Sequence, residues 1–173
     1  MRTLDLLKLI LDKEMQLPVG RCFAYNTEVD LPKDDKLFIV MSLVSKLPYS
    51  NITKHRNTAN GLEQVQTMNL SEDIIISVVS KNTDARERCH EVLMALNSDY
   101  SQILQEKEHM HISTISEIVD SSFLEATSIL NRFDIRCSVI RSYEKVTSVD
   151  YYDKFSGQTW VENNYNDVTK NTL

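Results

Sequence analysis

The alternation from Phe133 to Tyr143 constrains this chain more than any other feature. Phe133, Ile135, Cys137, Val139, Arg141 and Tyr143 occupy one set of alternating positions, while Arg132, Asp134, Arg136 and Ser138 occupy the other. Side chains along a strand point to opposite faces in turn, so the segment has one mostly apolar face and one polar face. A half-exposed antiparallel strand satisfies both, with something packed against the apolar side. Asp73–Ser80 (DIIISVVS) supplies a second strand built of Ile, Val and Ser. A helix follows it directly, with Asn82 or Asp84 as cap. Ala85, Cys89, Val92, Leu93 and Leu96 fall on one stripe, and Arg86, Glu87, Arg88 and Glu91 lie outside it. Strands followed by a one-striped helix predict an α+β domain: a mostly antiparallel mixed sheet with helices packed on one face.

The remaining segments fill in that frame. Leu4, Leu7, Ile10 and Leu11 predict a short leading amphipathic helix, capped by Thr3 and stopped at Leu17-Pro18-Val19-Gly20. Arg21–Tyr25 is a short strand, and a turn-rich stretch runs on to Pro32. Lys36–Val44 (KLFIVMSLV) reads as a strand covered on both faces. Residues 45–60 show no usable period and are rich in Ser, Thr and Asn, which predicts one long loop between strands. Gly61–Ser71 resumes extended structure. Asn97-Ser98-Asp99 breaks the main helix and caps a second, short one with Tyr100, Ile103 and Leu104. His109–Val119 is a further strand. Residues 1–160 form a single domain on this reading, and the Asn-rich 161–173 a polar, mobile tail.

With 173 residues, a chain of this kind buries roughly 70% of its unfolded surface and needs no staples. Three cysteines, Cys22, Cys89 and Cys137, sit in apolar patterns with no C-x-x-C spacing. They read as buried small hydrophobes in a reducing interior. Charges interrupt the leading apolar run, and no stretch is long enough to span a bilayer, so a soluble protein made in the cytoplasm is expected. The formal charge of −6 disfavours a sequence-blind nucleic-acid binder.

Catalytic patterns are not legible. Gly20, Gly61 and Gly157 stand too far apart for any phosphate loop. His90-Glu91-Val92-Leu93-Met94 starts like a zinc-protease helix but ends in Met where the second His must sit. On a strand, His109 and His111 share a face and form at most two ligands of a metal site whose third cannot be named. Asp34-Asp35-Lys36 reads as a charged turn entering a strand. No cofactor and no catalytic residue is assigned, so the expectation is not an enzyme. One charge feature stands out: between Asp35 and Glu63 there is no acid, while Lys46, Lys54 and Arg56 are present, with His55 beside them. These four residues are the candidate contact with a negatively charged partner or with passing DNA.

The order of elements resembles the tail terminator (neck terminator) proteins of tailed bacteriophages. The parts that carry the resemblance are the leading helix, Tyr25-Asn26 through Pro32 ahead of Leu37–Val44, and Gly61–Ser71. Asp73–Ser80 follows, running into the helix near Asn82. Last come Phe123-Leu124-Glu125-Ala126 and Arg132–Arg136, which enter the long alternating strand. Where that family suggests a Gly between strand and main helix, this chain has Ser80-Lys81. The resemblance implies a structural virion protein at the tail neck, forming a ring, hexameric in that family, on the last ring of the tail tube. It would end tube polymerisation and present a surface to a head-side connector or stopper protein, with a sheath protein alongside in contractile tails. DNA would pass through the lumen without specific binding, no membrane would be involved, and the segment 45–60 would be the main contact arm. Alternatives are another neck, head-completion or tube-like ring protein, a small metal-dependent hydrolase using His109 and His111, and a DNA-binding regulator using Lys46, Lys54 and Arg56.

Overall fold

The computed structural model describes residues 2–24, 32–59, 61–125 and 128–149. The expected tail 161–173 and most of the Tyr25–Pro32 segment lie outside the described residues. In chain order the elements are α1 (Thr3–Glu14), β1 (Cys22–Ala24), β2 (Phe38–Thr58), β3 (Gly61–Ser80), α2 (Asp84–Leu96), α3 (Asp99–Lys107), β4 (Met110–Asp120), β5 (Phe123–Glu125) and β6 (Ser128–Val149). The strands form one sheet in the order β1-β2-β3-β6-β4, with β5 pairing β6. Among the described strands only β1–β2 is parallel; their other pairings are antiparallel. The fold is α+β with a mostly antiparallel sheet.

Register makes the core. Met41, Ile76 and Ile135 lie side by side on adjacent strands, as do Ile39, Val78 and Phe133, and Leu43, Ile74 and Cys137. Because each row shares one pleat face, these residues form a continuous apolar surface, and α1 and α2 cover it with Leu6, Leu7, Ile10, Leu11, Ala85, Val92 and Leu96. The alternation read from Phe133 to Val139 is therefore the buried side of β6: all four apolar residues are buried. The main helix stripe is the buried side of α2, with Ala95 added. Ser80 Oγ accepts from the Ala85 N–H (3.0 Å) and Asn82 Oδ1 from the Asp84 N–H (3.0 Å). The two side chains satisfy amides that the first helical turn leaves unpaired.

The three cysteines are buried and free. Burial pushes the Cys22 and Cys137 thiols up to about 12, which leaves them without thiolate character.

Several expectations are corrected. Residues 45–58 are not a loop: they continue β2, paired residue by residue with β3 from Ser45↔Asp73 to Thr58↔Gly61. Two bulges, at Val44 and Tyr49, shift the phase of that strand, and its side chains are not sorted by burial, so no period shows. Gly61–Ser71 and Asp73–Ser80 are one strand, not two. Helices cover β2 on one face only: Val40 is half-buried and Val44 is 60% exposed. Thr3 is the first helical residue of α1 rather than its cap. In α3, Ser98 accepts from the Ser101 N–H as expected of a cap, but the buried positions are Ser101 and Gln105, and Ile103 faces out. Gln105 takes the inside place because its carbonyl accepts from the Ile112 amide of β4 (2.8 Å), while its amide donates to Ser101 Oγ (3.0 Å).

Candidate assembly surface

The strands β2, β3 and β6 run well past the helices. From Leu47, Ser71 and Ile140 outward they form an arm, three-stranded from Ser142 on, and among the described residues only the first turn of α1 comes near it, at the cleft shared with Arg141 and Tyr143. At about 3.3 Å per residue, Gly61–Ser71 makes this arm roughly 35 Å long. The β2–β3 hairpin closes tightly at its tip. Thr58 pairs with Gly61, whose φ of +122° is open to glycine and strained for other residues, and Thr58 Oγ1 donates to the Gly61 carbonyl (2.9 Å). Along the arm Leu47, Tyr49, Ile52 and Val146 stay between 46% and 62% exposed.

The four candidate contact residues all lie on β2, but the structure does not gather them. Alternation puts Lys54 and Arg56 on the face away from the helices, and Lys46 and His55 on the other. Lys46 stands at the arm's root, ten residues from Arg56 near its tip. Two of the four are already neutralised. Arg56 donates to Glu63 across the hairpin (2.9 Å), and the Lys46 ammonium lies 2.6 Å from the Glu72 carboxylate. Lys54 and His55 are exposed and have no charged partner among the described residues. A single basic patch is therefore absent from the described surface. The acids that cancel it, Glu63 and Glu72, lie on the neighbouring strand, beyond the window that reading along the sequence inspects.

Glu72 is the residue that sequence reasoning missed. It is 2% exposed, at the point where the helix-covered body becomes the arm. Burial drives its carboxyl pKa up, but the Lys46 ammonium, the nearby Thr3 hydroxyl and the charge of Arg141 outweigh that, so it stays below the ordinary range. Around it Arg2, Thr3, Leu43, Lys46, Arg141 and Tyr143 line a cleft of about 500 Å³. The only sequence signal was an acid in a run otherwise alternating toward Ile74.

The open face of the body is hydroxyl-rich. Asp73 accepts from Ser45 (2.8 Å) and Ser138 (2.7 Å), and Asp134 from Ser77 (2.6 Å) and Arg132 (2.9 Å). These acids are spent on cross-strand hydrogen bonds. His109 sits in the turn after α3 with φ of 51°, outside β4, whereas His111 is in β4 and exposed. The two imidazoles do not share a strand face, which corrects that expectation. No group of three or more His, Cys, Asp or Glu suited to a metal is found among the described residues. Asp34 forms a two-pronged contact with the Arg21 guanidinium and accepts from the Lys36 amide (3.3 Å), as a charged turn should. No described helix is long and apolar enough to cross a membrane.

Comparison with known proteins returns no matching family model and no matching curated protein.

Proposed function

We propose that this chain is a structural subunit of a phage virion, a tail terminator that forms a ring at the head-proximal end of the tail. The observation that carries the reading is the uncovered arm. An isolated sheet with half-exposed apolar residues on it and no helix across it gains little by itself, and its open backbone groups are templates for another chain. A long arm projecting from a stable α+β body is a part built for assembly. Its position matches the segment that the family resemblance marks as the contact arm.

In this reading the ring sits on the tail tube protein below and meets a head-side connector or stopper protein above, with a sheath protein around it in a contractile tail. The acidic balance of the chain suits a lumen through which a polyanion slides without sticking. Neutralisation of Arg56 and Lys46 by Glu63 and Glu72 favours this over the regulator reading, because of the three cations that reading uses only Lys54 has no acidic partner among the described residues. The test is electron microscopy of growing tail tubes with and without the purified chain. Tubes of uniform length bearing one extra ring at a single end support the proposal. Tubes that keep elongating in excess chain, with no ring at either end, sink it.

A further inference from the structure

We propose that the arm is completed by a second copy of this chain, β6 of one subunit pairing along its outer edge with β2 of the next. The inference rests on the ring reading above and names the interface that the ring would use. In the arm, β3 is paired on both sides. The outer edge of β2 beyond Met41 and that of β6 beyond Arg141 pair with no strand among the described residues. Each edge presents backbone N–H and C=O groups that need partners.

Topology fixes the orientation. Strands β2 and β6 are both antiparallel to β3 and hence parallel to each other. Subunits related by rotation about an axis to which the arm is tilted bring β6 of one beside β2 of the next as a parallel pair, which is an accepted ladder geometry. A two-fold arrangement would instead set β2 against β2 or β6 against β6, and either leaves the arm's other edge open. Charge also disfavours the first, because Lys54 and His55 on the β2 edge have no acidic partner among the described residues.

Charge also selects the register. Glu144 and Lys54 are exposed on the same face of the arm, and neither has a partner among the described residues. Within one subunit Glu144 is level with Thr67 and Ile52, and Lys54 with Val65 and Val146. Setting Glu144 opposite the next copy's Lys54 therefore staggers each subunit by two residues in the same sense, as closing a sheet into a barrel requires. Pro48 and the two bulges keep the root of β2 out of such a ladder, and β4 covers β6 as far as Arg141, which confines the contact to Ile52–Thr58 against Ser142–Ser148.

The experiment uses the full chain carrying Lys54→Cys and Glu144→Cys together. The native cysteines are buried and stay out of the reaction. Mild oxidation should give a ladder of covalent multimers that ends at the mass of the ring, and neither single variant should give one. In parallel, light scattering after size exclusion should show that Lys54→Glu and Glu144→Lys each disperse the particle, while the double exchange restores it. A multimer that survives both reversals and forms no ladder overturns the edge pairing and leaves the ring reading standing. A single-copy mass at the highest soluble concentration, with no ladder, also overturns the pairing. Whether that same chain still caps tail tubes then decides the ring reading separately.

Discussion

Body and arm are made from the same three strands, yet they are held by different physics. In the body, β2, β3 and β6 bury Met41, Ile76 and Ile135 completely beneath α1 and α2. In the arm the same strands keep their ladder hydrogen bonds, but Leu47, Ile52 and Val146 stay about half in water. Backbone pairing alone contributes little net stability, because each bond replaces one to water. The arm therefore depends on the body for its existence, and in the proposed ring a neighbouring copy would supply its burial. The difference teaches that β-structure and hydrophobic core are separate properties of this chain.

The largest effect should come from cutting the body. Ile76→Ala removes a side chain with no exposure from the centre of the sheet, and should cost about 2–5 kcal/mol. Ile52→Ala, the matching truncation in the arm, should cost under about 0.5 kcal/mol in the isolated subunit. Chemical denaturation of both variants checks this. Equal losses would show that the arm is packed as firmly as the body and would break the comparison.

The root of the arm gives the next effect. Lys46→Met leaves the Glu72 carboxylate buried without its nearest cation, at a cost of about 1–3 kcal/mol near neutral pH. The sign of the pH dependence should change as well. In the native chain the Glu72 pKa lies below its unfolded value of about 4.3, so its contribution is present above that pH and is lost as pH falls through the folded pKa. Without Lys46, burial should outweigh the remaining pull of Thr3 and Arg141 and raise the folded pKa above the unfolded one. Stability is then lost as pH rises between the two. Melting curves of both chains from acid to neutral pH should diverge upward. Parallel curves would mean that Glu72 is insulated from Lys46.

A smaller loss belongs to the strand–helix junction. Ser80→Ala removes the acceptor of the Ala85 amide and should cost about 1 kcal/mol, read as a lower melting temperature with unchanged particle size. A change in particle size would tie the junction to assembly.

What was legible in the sequence follows the same division. Phe133–Val139 and the stripe of α2 are sorted by burial, which prints a period on a sequence, whereas Ile74–Val79, buried on both faces from Ile76 on, shows as a near-continuous apolar run. The arm prints none. Its faces are both wet, so apolar and polar residues mix on each, and bulges at Val44 and Tyr49 shift what alternation there is. The Asn60-Gly61 dipeptide was the one local hint of a hairpin turn. The charge feature was misread for a related reason. Acid-free residues 36–62 looked basic in one dimension, whereas pairing with β3 sets Glu63 beside Arg56 and Glu72 beside Lys46. Glu72 itself could not be found by pattern, since the cleft around it is lined by Arg2 and Thr3 from the far end of the chain.

The smallest effect sharpens the comparison inside the arm itself. Arg56 and Glu63 face each other close to the hairpin tip, and the Arg56 side chain is 60% exposed. An exposed pair of this kind contributes roughly 0.2–1 kcal/mol. Arg56→Ala should therefore lower stability by no more than that. The loss should shrink further in high salt, because the pair is open to counterions. Lys54→Ala, which removes an unpaired cation, should leave the stability of the isolated subunit unchanged and weaken only self-association. Comparing the two variants by denaturation and by light scattering separates the roles that the proposed pairing gives them: one charge holding the hairpin, the other reaching the neighbouring copy. If Arg56→Ala disperses the particle and Lys54→Ala does not, the roles are reversed, and the stagger of two residues between subunits is wrong.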